Sequence, residues 1–243
     1  MRSSILAYPL WIFSFCRAFT ADDDYLKAHL VYNEGVHCSI ARDVACALEK
    51  YATALLMKHD FPEAHQNYAL LLEDIDTTEA MKHHSFSVDF SATTQFKASA
   101  MTNLALVQLR IIPNKSKATA QSGISLLLDA MALDPGNSNI AFTLGLTFAD
   151  VGDFESALMY FRETLLVDGN HSMALMNIGN HYMRLYNFVE AVSYYERAIA
   201  AAGEDNPLEK VSTVLYSNHV ISYHIRFYRN WLNNSIPYYH TLP

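Results

Sequence analysis

Glycine and proline are scarce, 8 and 7 in 243 residues, and no strand-like alternation of apolar and polar residues persists. That leaves little for a turn-rich or all-β chain, and a mostly helical protein follows. Charged residues are few at 17% against 51% apolar, which excludes a disordered polar chain. Basic residues are outnumbered 17 to 25, for a net charge of −8. A non-specific nucleic-acid binder needs a basic face, so nucleic acid is not an expected partner, and basic or neutral partners are favoured. Enzyme signatures are missing too. There is no GxGxxG, phosphate-loop, GxSxG, HExxH or CxxC motif. The 11 histidines are scattered, and the one doublet, His83-His84, has no carboxylate or cysteine at ligand spacing on an expected face. It reads as a solvated pair. No catalytic residue, metal or cofactor is expected.

A period is what the chain does have. Residues 138–171 superimpose on 172–205 with a shift of 34: Gly145 becomes Gly179, Ala157 becomes Ala191 and Phe161 becomes Tyr195. A fixed period of this size signals stacked supersecondary units. Gly145 and Gly179 fall mid-helix, which costs about 1 kcal/mol against Ala. Close approach of a neighbouring helix is the expected reason, with Ala157 and Ala191 as the matching small surface. Leu-Gly-x2-aromatic followed by Ala-x3-aromatic resembles the tetratricopeptide repeat family, although the family's opening Trp is replaced by Ala141 and Leu175. The resemblance implies an all-α, right-handed superhelical solenoid of about five helix pairs plus a C-terminal helix. Weaker units stand before them at 28–61, marked by Gly35 and Ala47, at 62–95, marked by Ala69, and at 98–137, marked by Leu104-Ala105.

Residues 1–21 carry Arg2, an apolar run of about 12 residues and small residues before Asp22. They read as a signal peptide or hydrophobic N-terminal segment, too short to span a bilayer. Secretion follows if they are a signal peptide, and a cytoplasmic location otherwise. Cys38 and Cys46 are either disulfide-bonded or, the favoured reading, two small buried helix residues. Asp76 to Gln95 has little apolar periodicity and reads as a short or distorted helix and a loop. A terminal helix is expected at about 207–232, followed by a tail at 233–243. It either caps the array or marks the chain as a piece of something longer.

Two residues before each small helix residue stands Asn33, Asn67, Asn103, Thr143, Asn177 or Asn218. By the repeat period these side chains fall on the first helix of each pair, on the face that lines the concave groove of a tetratricopeptide array. The column resembles the asparagine ladder in the superhelix of protein O-GlcNAc transferase. An amide offers both a donor and an acceptor, which suits the backbone of an extended peptide. Two readings stay open: the amides grip a peptide, or they are repeat consensus that serves local packing. Asn180, Met176 and Arg184 form a secondary groove set. Met173, Met176 and Met183 suit an adaptable groove or, the favoured reading, packing against the final helix. Asn180 and Asn218 match two Asn of the terminal-carboxylate clamp in chaperone-binding members, but Met176 stands where the first Lys belongs, so no clamp is expected. The expected function is a scaffold for a protein or peptide of unknown identity. The alternatives are the repeat part of a larger glycosyltransferase whose catalytic domain is absent, and a structural assembly subunit.

Overall fold

The structure, a computed structural model, describes residues 10–112 and 116–202, with side chains from Asp24 onward. The expected terminal helix, Asn218 and the 233–243 tail lie outside the described residues, as do residues 1–9. Among the described residues there are ten helices and no strand: α1 Leu10–Ile40, α2 Val44–Met57, α3 Pro62–Leu72, α4 Thr77–Asp89, α5 Thr94–Arg110, α6 Gln121–Leu133, α7 Ser138–Asp150, α8 Phe154–Val167, α9 Ser172–Arg184 and α10 Phe188–Ala201. The helix α1 runs unbroken past residue 21. Among the described residues no helix is long and apolar enough to cross a membrane.

The helices pack as five consecutive pairs, α1/α2 to α9/α10. They fall into two compact units. The first holds α1 to α6; the second holds α7 to α10 together with residues 116–120. Helix starts follow local chemistry. Asp43, Asp76, Asn137 and Asp153 accept backbone N–H bonds in the first turns of α2, α4, α7 and α8, and Pro62 opens α3, where its missing N–H costs nothing.

Each second helix buries residues at i, i+4 and i+7: Ala47, Tyr51 and Ala54 in α2; Ala157, Phe161 and Thr164 in α8; Ala191, Tyr195 and Ala198 in α10. The middle residue meets the mid-helix glycine of its partner. A Cβ on Gly35 would lie 2.7 Å from Tyr51, on Gly145 2.5 Å from Phe161, and on Gly179 2.7 Å from Tyr195. The glycines thus answer to an aromatic ring, not to Ala157 or Ala191 as the spacing suggested. The third pair inverts the arrangement: Gly123 of α6 receives Leu109 of α5, with an added Cβ 2.6 Å from its Cγ.

Three expectations are corrected. Asp76 to Gln95 holds a regular 13-residue helix, α4, capped by Asp76 through the N–H groups of Thr78 and Glu79. Its buried set is Ala80, His84 and Ser87, so the pattern of the other second helices is present with polar residues in the apolar places. Consequently His83-His84 is not a solvated pair: His84 is fully buried and His83 is half-buried. Cys38 and Cys46 are joined by a disulfide across the α1–α2 turn, Cα to Cα 5.8 Å. The turn folds Cys38 back beside the first turn of α2, which sequence separation alone does not show.

Candidate peptide-binding groove

The second unit contains a cavity of about 640 Å³ between α9 and the end of α7 with α8. Phe154, Ala157, Leu158 and Phe161 supply an apolar wall from α8, and Asn177, Asn180 and Arg184 face them from α9. Positions 177, 180 and 184 share a helix face because they are three and four residues apart.

Each amide here is half committed. Asn177 Nδ2 donates to the Met173 carbonyl of its own helix at 2.8 Å. Asn180 Oδ1 accepts from the Tyr195 hydroxyl at 2.7 Å. The Arg184 guanidinium lies over the Phe154 ring, its central carbon 3.5 Å from the centroid, so the charge sits against the apolar wall. Arg162 donates to the Tyr182 hydroxyl at 3.2 Å. Burial first, then the Arg162 and Arg184 charges, lower the pKa of His181, which also lines the cavity and so tends to stay neutral near pH 7.

The other expected positions have different surroundings. In the first unit Asn67 Nδ2 donates to the Tyr32 hydroxyl of α1 at 2.9 Å. Asn33 is exposed and Asn103 half-buried. Met176 packs with Met183, Ala191, Tyr195, Tyr182 and Phe188 in the α9/α10 core, and Met173 is exposed. The cavity's opposite wall was missed by sequence reasoning. Phe154 and Leu158 belong to the second helix of the preceding pair, and their offset from Asn177 is legible only once the stacking of α8 on α9 is known. Among the described residues no group of three or more His, Cys, Asp or Glu is placed to hold a metal ion.

No family model matches the chain. A 60-residue stretch is 33% identical to the uncharacterized protein ycf37 of Guillardia theta; it covers 25% of this chain and only 34% of that relative's length. Among solved structures, MamA matches at 21% identity and TM-score 0.57 over 69% of this chain and 93% of its own. YrrB, described as a tetratricopeptide protein with an unusual peptide-binding site, matches at 18% identity and TM-score 0.53 over 82% and 96%. The pilF protein of Pseudomonas aeruginosa matches at 15% identity and TM-score 0.63 over 83% and 93%. At these identities the likeness shows the fold, an all-α solenoid of tetratricopeptide helix pairs.

Proposed function

We propose that the chain is a protein-interaction scaffold whose second unit grips an extended peptide by its backbone. One observation carries this reading: Asn177 and Asn180 line one cavity, each with half its amide engaged. Asn177 has given a donor to its own helix and keeps its Oδ1 acceptor. Asn180 has given its acceptor to Tyr195 and keeps its NH2 donors. An acceptor and a donor three residues apart on one face match the N–H and C=O of a peptide. The apolar wall of Phe154, Leu158 and Phe161 takes a side chain alongside. Asn33 and Asn103 hold the corresponding place on α1 and α5. The peptide-binding site of YrrB, a protein of the same fold, supports the reading by analogy.

Panning a random 12-residue peptide library on the full chain tests it, with recovered peptides titrated against variants. Asn180→Asp keeps an acceptor for Tyr195 and removes the donors, so it probes binding without orphaning a buried hydroxyl. Asn177→Ala removes the acceptor. With each lost hydrogen bond worth about 0.5–1.5 kcal/mol, the double variant should bind roughly tenfold more weakly or worse. A folded double variant with parental affinity, or a library that yields no binder, overturns the reading.

A further inference from the structure

The second helix pair carries titratable groups where the others carry hydrocarbon. Shifting Ala47, Tyr51 and Ala54 of α2 by 33 residues gives Ala80, His84 and Ser87 of α4. The ring that packs the pair is therefore an imidazole in place of Tyr51, Phe161 or Tyr195. His84 is fully buried; its Nε2 lies 3.0 Å from Glu73 Oε1, and its Nδ1 has no hydrogen-bond partner. Glu73 is in turn held by Arg110 of α5, whose Nη1 lies 3.4 Å from its Oε2. The same Nη1 reaches Asp74 at 3.2 Å.

A pair of imidazoles, His65 and His83, also ties α3 to α4. His65 is 1% exposed; its Nε2 donates to the His59 carbonyl at 2.7 Å, which leaves Nδ1 as the acceptor of a neutral ring. His83 Nδ1 lies 2.7 Å from that atom. The contact holds only while one proton lies between the two nitrogens. When both rings are fully protonated, two N–H groups point at each other and the bond is lost. Other groups facing these imidazoles are Glu79, 3.3 Å from His83 Nε2, Lys82 bonded to that carboxylate, the ring of His59, and Tyr68 edge-on to His83. None of these carboxylates reaches His65, and the nearest rings to it besides the histidines are Phe86 and Phe90.

We propose that the α3/α4 pair is an acid-labile joint: charging the core imidazoles His65 and His84 loosens this pair selectively and leaves the α7/α8 pair intact. Burial works in this direction at both sites. It pushes His65 down to about 4 and lowers His84 despite the neighbouring Glu73. A histidine whose folded pKa lies below its unfolded value of 6.5 gives stability that is present above that value. The stability is lost as pH falls towards the folded pKa, and the loss levels off below it. For His65 alone, moving from near pH 7 to about pH 5 shifts the local opening equilibrium roughly twentyfold.

Hydrogen exchange of the full chain at the two pH values, corrected for the intrinsic pH dependence of exchange, reads this directly. Protection over residues 62–89 should fall by about that factor on acidification, while residues 138–167, which contain no histidine, should change less than roughly twofold. In His65→Gln with His84→Phe, the pH difference between the two regions should disappear. Equal acid sensitivity of both regions in the parent, or an undiminished difference in the folded double variant, overturns the proposal. If the double variant does not fold, nitrogen-15 spectra of the parent's imidazoles decide. Rings of His65 and His84 that stay neutral well below pH 6.5 support it, and rings that titrate at their ordinary value refute it.

Discussion

The side chain of Asn67 donates to the hydroxyl of Tyr32 at 2.9 Å, a bond between the first helices of consecutive pairs. Tyr32 stands three residues before Gly35. The corresponding residue before Gly145 is Phe142, which has no hydroxyl to offer. Asn177, at the place of Asn67, turns its donor to Met173 of its own helix instead. Asn67 and Asn177 hold one place of the repeat and bond differently, the first to the preceding pair and the second within its own helix.

The Asn67–Tyr32 bond should appear as a stability term. Tyr32→Phe and Asn67→Ala should each destabilise the chain by about 0.5–1.5 kcal/mol in denaturant unfolding. A double-mutant cycle should give a coupling of similar size. Additive effects would show that the bond contributes nothing.

Gly145 and Gly136 should respond in opposite directions. A Cβ on Gly145 would meet the buried Phe161 ring, whereas one on Gly136 meets nothing within 4 Å. Gly145→Leu should cost about 1–3 kcal/mol through overpacking. Gly136→Ala should add about 0.4–1 kcal/mol by restricting the unfolded chain. Thermal melts of the two variants beside the parent check both signs.

Reduction of Cys38–Cys46 should weaken the first pair. The bridge spans a sequence separation of 8, and closing so short a loop is worth about 2–3 kcal/mol in the chain-entropy model. Proteolysis within α1 and α2 should quicken on adding dithiothreitol and should be equally fast in Cys38→Ser with or without it. No change on reduction would count against the bond.

Arg42→Gly should stabilise. Arg42 is exposed and sits at φ 61°, in the left-handed region where a side chain is strained. Gly152 occupies the corresponding place in the fourth pair at φ 81°. Relief of strain, less the greater freedom of unfolded glycine, leaves a gain of about 0.5–1 kcal/mol. Equilibrium unfolding measures it.

Much of this fold is legible in the sequence because repetition enforces it. The Gly145-to-Gly179 shift marks two helix pairs, and the aromatic four residues after Ala157 or Ala191 marks the ring that fills each glycine notch. The second pair is harder to read. His84 and Ser87 look like surface residues until α4 is laid over α2, and only then does position 84 coincide with Tyr51. The cavity was half legible: the period marks Asn177, and Asn180 and Arg184 stand on the same helix face at three- and four-residue spacing. Phe154 and Leu158 do not, since they meet α9 only through the stacking of one pair on the next. The Cys38–Cys46 bond depends on the tight turn at Arg42, whose left-handed backbone no composition signal marks.

That turn recurs. Asp43, Asp153 and Asn187 each send their backbone N–H to the carbonyl five residues back, at Cys38, Phe148 and Tyr182, after a left-handed residue at 42, 152 or 186. It acts as a phase-setting gear between two screws. Because it always advances the chain by the same amount, residues sixteen apart come into register: Gly35 with Tyr51, Gly145 with Phe161, Gly179 with Tyr195. One residue inserted after Gly152 would turn α8 by about 100° about its axis against α7 and swing Phe161 out of its notch. The chain can therefore vary the chemistry along its helices widely, while the length of these three turns is fixed.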